Sequence, residues 1–170
     1  MSDALDRWNR LPVREAEADI LACCGSRAWA QAMASRRPIA SEAALFATSD
    51  ETWRGLSEAD WMEAFRSHPR IGESRPERPA AANSAAWSAQ EQSGVTASEQ
   101  AIKAALADGN SEYEKRFGHI FIVCATGKSA DEILGILQRR LQNDAATELR
   151  EAAEQQRQIT HIRLKRWLEG

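Results

Sequence analysis

Apolar residues in this chain recur mostly at steps of three and four, the spacing of helices that bury one face. Leu5 and Trp8, behind Ser2, predict a short first helix that stops at Pro12, where the ring blocks continuation. Residues 13–24 predict a second helix, closed by Gly25 as a left-handed cap. A third follows Ser26, carries Trp29 and Met33, and ends before Pro38. Ser41 opens a fourth around Ala44 and Leu45. Ser57-Glu58-Ala59-Asp60 then reads as a capping signal. It leads into a helix whose stripe is Trp61, Phe65 and His68, closed by Pro69.

The pattern then breaks. Between 70 and 84, Arg70, Arg75 and Arg78 alternate with Glu73 and Glu77, and Pro76 and Pro79 exclude a continuous helix. This stretch reads as an ordered surface loop. A helical segment follows from Trp87 and stops at Gly94. Ser98 opens a helix through Ile102, Ala105 and Leu106, expected to break at Gly109-Asn110, resume through Tyr113 to Phe117, and end at Gly118. Residues 119–125 (HIFIVCA) are the one β-branched apolar run that looks extended. Ser129-Ala130-Asp131-Glu132 is a capping box before Ile133, Leu134, Leu137 and Leu141. After a turn at Asn143-Asp144, a last helix is expected from about Thr147 to Leu168. The expected fold is all-α: a single-domain helical bundle over residues 1–170, with one extended apolar segment at 119–125. Such a segment needs helices to cover it or a partner for its edge.

Composition narrows the class. The chain has 170 residues, 43% hydrophobic and 28% charged, an ordinary globular balance with room for one hydrophobic core. Lys and Arg number 22 against 25 Asp and Glu, a formal net charge of −3. That balance offers no general attraction to phosphate backbones, and runs such as residues 120–125 are too short to span a bilayer. Neither nucleic acid nor membrane is an expected partner. The opening residues lack the basic-then-apolar form of a secretory signal, and the last residues carry no peroxisomal or prenylation box. Three cysteines, Cys23, Cys24 and Cys124, show no framework spacing. That fits a reducing compartment, so the cytoplasm is the expected location.

No phosphate loop, dinucleotide fingerprint, nucleophile elbow or paired metal-ligand spacing is present in the sequence. Cys124 reads as a small buried hydrophobe. Three constellations carry chemistry. His68 continues a buried stripe at a helix C-terminus, where carbonyl dipoles favour the imidazolium and burial disfavours it. Opposed in that way, a histidine can titrate near neutrality as a general acid or base, although on this feature alone the commoner role is to satisfy loose carbonyls at the helix end. Ser88, Glu91 and Gln92 share one helical face and offer a hydroxyl, a carboxylate and an amide, although Ser88-Ala89-Gln90-Glu91 also reads as a capping box. Arg163 interrupts a stripe made by Leu149, Ala152, Gln156, Ile159 and Trp167. A guanidinium there needs an anionic partner, either an internal carboxylate or a bound one.

The words SHPRIG at 67–72, SAQEQSG at 88–94, YEKRFG at 113–118 and FIVCATGKS at 121–129 closely resemble one family, as do RRLQND at 139–144 and TELR at 147–150. It is the decarboxylases of 2-oxo-4-hydroxy-4-carboxy-5-ureidoimidazoline (OHCU) in urate degradation, and the resemblance runs over nearly the whole chain. It implies a cofactor-free, all-helical enzyme, usually a homodimer, that converts the product of 5-hydroxyisourate hydrolysis to (S)-allantoin and CO2. By resemblance, His68 is the catalytic acid/base, Glu91 assists it, and Pro69 lines the substrate. The stretch Ser88, Ala89, Gln90 and Gln92 would bind substrate. So would main-chain groups of Phe121, Ile122, Val123, Cys124 and Ala125, and the side chain of Arg163. A functional pairing with 5-hydroxyisourate hydrolase is a further expectation. The arginine- and proline-rich residues 75–79 depart from the family pattern and receive no role.

Two other readings compete. A metal-dependent hydrolase of a related ureide would use His68, His119 and Glu91. A non-catalytic helical interaction module would pair Arg163 with Glu91 internally.

Overall fold

The computed structural model describes residues 2–72, 82–91 and 100–170, with only the backbone at 82, 83, 85 and 89. Among the described residues the regular structure is all helix. The helices are α1 (Asp3–Arg10), α2 (Val13–Leu21), α3 (Arg27–Ser35), α4 (Glu42–Arg54) and α5 (Glu58–Arg66), then α6 (Ala82–Glu91), α7 (Gln100–Phe117), α8 (Ala130–Arg140) and α9 (Ala145–Glu169). None is long and apolar enough to cross a membrane.

Local signals set the boundaries. The Ser2, Ser26 and Ser41 hydroxyls accept from Leu5, Trp29 and Ala44 N–H and so start α1, α3 and α4. Ser129 and Glu132 close a reciprocal capping box on α8. Helix α2 ends three residues short of the expected Cys24. Cys23 and Cys24 donate back to Ile20 and Leu21 in a tightened turn, and Gly25, at φ 83°, takes the left-handed position.

The backbone gathers into two compact units: Met1–Ala64 with Arg157–Gly170, and Phe65–Gln156. In the first, Trp8 packs edge-on against Trp167 and donates its indole N–H to Ala16 C=O at 2.9 Å. Arg37 lies over the Trp8 ring and donates to the Trp8 and Leu11 carbonyls at the end of α1. In the second, Ile71, Leu106, Tyr113, Phe121, Val123, Ala125, Ala130, Ile133, Leu137 and Leu141 form the core.

Two boundaries differ from the sequence reading. Helix α7 runs unbroken through Gly109 and Asn110. A Cβ at Gly109 would sit 2.6 Å from Leu137 Cδ2, so glycine serves the close approach of α8 rather than a break. Asn110 is buried and donates Nδ2 to Ile71 C=O at 3.2 Å. Helix α6 begins at Ala82, inside the expected loop; the alanine-rich ANSAA has strong helix propensity once the prolines are passed. The expected helix start at Ser98 and stop at Gly94 fall outside the described residues, as do Arg75 to Pro79.

The apolar run at 119–125 forms no strand. Residues 120–125 are nevertheless all buried, and side chains take the place of a neighbouring strand.

Candidate active site

Pro69 excludes His68 from the helical region, so α5 ends at Arg66 and the chain turns inward, with His68 N–H donating to Phe65 C=O at 3.1 Å. Ser67, His68 and Pro69 are all buried. The His68 ring meets α9: Nε2 lies 2.6 Å from Gln156 Oε1, and Gln156 is fully buried. The amide oxygen can only accept, so with this orientation Nε2 carries a proton. Beyond Pro69 the chain is pinned to α7. Arg70 grips Glu114 through Nε and Nη2, at 2.6 and 3.3 Å, and Asn110 holds Ile71 C=O. Gly72 then leaves at φ 88°, a conformation that suits only glycine. Neither Gln156 nor the Arg70–Glu114 pair was anticipated, because sequence spacing shows a helix face but not the residue it will meet.

On α6, Ser84 and Ser88 are buried on one face, Glu91 is half-buried one turn on, and Gln90 is exposed. Ser88 lies well inside this helix, so the capping-box reading of Ser88 and Glu91 does not hold. The Ala89 side chain and Gln92 lie outside the described residues.

The segment 119–125 is held by side chains. Arg140 Nη1 donates to Ile122 C=O at 2.6 Å, Gln155 Oε1 accepts from Cys124 N–H at 2.9 Å, and Lys128 Nζ donates to Cys124 C=O at 2.8 Å. Ala125 C=O accepts from Lys128 N–H at 3.0 Å. Among the described residues nothing takes up the N–H or C=O of Val123, although that residue is only 5% exposed. The bonded Ile122 C=O and the bonded N–H and C=O of Cys124, on either side of the open Val123, match the alternation of an extended chain. Buried main-chain groups left open are rare and need a partner.

Arg140 and Glu148 are both completely buried and ion-paired. Tyr113 donates its phenol to Glu148, Asn143 Nδ2 reaches Glu148 Oε2 at 3.0 Å, and the Phe121 ring centre lies 4.6 Å from the Arg140 guanidinium carbon. Burial, and then the bond to Glu148, holds the Tyr113 phenol well above its ordinary pKa, so it remains a donor. The sequence signal was available here: Arg140 continues the stripe of Ile133 and Leu137, just as Arg163 interrupts its own.

That second stripe is observed. Ala152, Gln156, Ile159 and Arg163 are buried, with Leu149 and Trp167 half-buried at its ends. Within its own unit Arg163 Nη1 lies 3.4 Å from Ala22 C=O. Its charge opposes burial at two thiols: burial pushes Cys24 up to about 12 and raises Cys23 as well.

His119 is an aromatic-core residue. Its ring packs on Phe65 and Tyr113, Nδ1 donates to Ile120 C=O at 3.0 Å, and burial lowers its pKa. Among the described residues, no group of three or more His, Cys, Asp or Glu side chains is placed to hold a metal ion.

The OHCU decarboxylase family model matches residues 9–165. The chain is 38% identical over 144 residues to the uric acid degradation bifunctional protein TTL of Arabidopsis thaliana, an alignment that covers 84% of the chain but 44% of that longer protein. It is 32% identical over 136 residues to the 2-oxo-4-hydroxy-4-carboxy-5-ureidoimidazoline decarboxylase of Amia calva, covering 80% of the chain and 77% of the relative. A crystal structure of OHCU decarboxylase in the presence of (S)-allantoin superposes with a TM-score of 0.75 at 31% identity, over 88% of this chain and 96% of that one. A crystal structure of (S)-allantoin synthase, 17% identical with a TM-score of 0.73, shares the fold.

Proposed function

The chain belongs to the OHCU decarboxylase family, the decarboxylases of urate degradation, and from that premise we propose that it converts OHCU to (S)-allantoin and CO2 with His68 as the general acid/base. The observation that carries this reading is the main chain of Val123, a buried residue whose N–H and C=O have no partner among the described residues. One N–H and one C=O side by side complement an amide or ureido edge, which offers one acceptor and one donor in the same arrangement.

The reaction fixes what the groups must do. When the bond from the ring carbon to its carboxylate breaks, CO2 leaves and the electron pair moves through the adjacent carbon toward the ring C=N. The ring nitrogen that receives the pair takes a proton from solvent, which leaves an enol-like intermediate that still carries the hydroxyl. Loss of the hydroxyl proton makes the new C=O, and a proton added to one face of the ureido-bearing carbon sets the S configuration. The substrate's own C=N takes up the electrons, so the protein's task is to move protons and hold one face of a planar ring. A histidine with one nitrogen donating and the other carrying a lone pair can accept the hydroxyl proton and return a proton to carbon. In this reading Glu91 assists His68, Pro69 borders the substrate, and Ser88, Ala89, Gln90 and Gln92 bind it. The main chain of Phe121, Ile122, Val123, Cys124 and Ala125 contributes further contacts, with Val123 central because the Cys124 groups and Ile122 C=O are already bonded. Arg163 supplies a cation for an anionic group of the substrate.

The finer expectations belong to the same reading. The chain works as a homodimer in the cytoplasm, beside an enzyme that hydrolyses 5-hydroxyisourate. The Arabidopsis relative, named as a bifunctional protein of uric acid degradation, supports a partnership between two activities.

The test uses OHCU freshly generated from 5-hydroxyisourate by its hydrolase. Micromolar protein is expected to speed the appearance of the (S)-allantoin dichroism signal well above the spontaneous rate, with a one-handed product. An unchanged rate and racemic product would contradict the assignment.

A further inference from the structure

We propose that Gln156 is the positioning residue of His68: it holds the imidazole in the tautomer with the proton on Nε2, so that Nδ1 presents the lone pair used in proton transfer. This rests on the reading of His68 as acid/base and adds to it a residue 88 positions away in the chain.

The geometry is close and dry. His68 Nε2 and Gln156 Oε1 lie 2.6 Å apart, with His68 6% exposed and Gln156 fully buried. A polar side chain in that setting must be bonded, and each group sets the other's orientation. The residue type matters too. A carboxylate in this position would favour the imidazolium and pull the ring away from neutrality, whereas an amide fixes the ring with no net charge. A general acid/base that must both accept and return a proton gains from that restraint. The same turn of α9 serves the other half of the proposed site. Gln155, the next residue, accepts from Cys124 N–H, and Glu148, two turns earlier, anchors Arg140 beneath Ile122 C=O. One helix therefore fixes both the imidazole and the main-chain edge beside Val123.

The direct test is the tautomer of His68 in the folded, isotope-labelled protein, read from long-range nitrogen–proton correlations of the imidazole at a pH where it is neutral. The Nε2–H form is expected, and the Nδ1–H form would overturn the proposal. Gln156→Met keeps the bulk and removes the bond. It is expected to lower kcat by about 10²-fold with KM within about 3-fold of the parent, the signature of a misaligned reacting group. Gln156→Glu restores an acceptor. It is expected to recover the Nε2–H tautomer while moving the His68-dependent limb of the pH–rate profile upward by about one unit or more, since a neighbouring carboxylate raises an imidazole pKa. A folded Gln156→Met variant with parental kcat, or a Gln156→Glu profile superimposable on the parent's, would refute it. If Gln156→Met fails to fold, the parent's tautomer and the glutamate variant decide. If the parent itself does not turn over OHCU, the decarboxylase reading fails, while the tautomer measurement still tests the role of Gln156.

Discussion

His68→Asn folds, and its turnover of OHCU falls by about 10²–10⁴-fold, the range removed with a general acid/base. Asparagine suits the test because the site is buried. Its amide stands where the near edge of the ring stood and keeps the site polar, but it is too short to reach Gln156 Oε1, so about 1–3 kcal/mol of stability is lost with that bond. It cannot shuttle a proton near neutral pH. The expected pattern is a far-ultraviolet dichroism spectrum like the parent's, a modest change in Tm, and substrate affinity largely retained with kcat lost. Turnover near the parental rate would remove His68 from the mechanism.

Arg140→Met is expected to destabilise the protein by about 3–5 kcal/mol, because it strands the fully buried Glu148 carboxylate. For a chain of this size that corresponds to a fall in Tm of about 6–20 °C. Tyr113 and Asn143 still donate to Glu148 in the variant, but neither carries charge, so the cost of burying the anion stands. The double variant Arg140→Met with Glu148→Leu removes both charges and is expected to recover most of the loss, since a buried ion pair contributes little beyond a well-packed apolar pair. Its activity is not expected to recover, because Ile122 C=O has lost the donor that fixes it. Urea titration of the two variants checks both statements. A single variant within about 1 kcal/mol of the parent would contradict them.

Elements that a few neighbouring residues decide were legible in the sequence. Serine hydroxyls at 2, 26, 41 and 129 start helices because each satisfies amide groups within one turn. Gly25 and Gly118 end them because each adopts positive φ. Buried stripes exposed the misfits, His68 and Arg163, and the motif words supplied the family. Partners were not legible. Gln156 meets His68 across 88 residues, Glu148 meets Tyr113 across 35, and Gln155 meets Cys124 across 31. Helical periodicity says which face a side chain occupies, and only the packed chain says what lies opposite. Gly109 misled for the same reason. Its local meaning is a weak point in a helix, but its tertiary role is the close approach of Leu137. The openness of Val123 was equally hidden, since it follows from side chains that occupy the groups on either side of it.

The most direct measurement is a crystal structure of this protein soaked with (S)-allantoin. The expected result is the product's amide or ureido edge hydrogen-bonded to both the N–H and C=O of Val123, with the carbon that received the proton within reach of the His68 imidazole. Allantoin bound elsewhere, with Val123 untouched and His68 remote from the ligand, would contradict it.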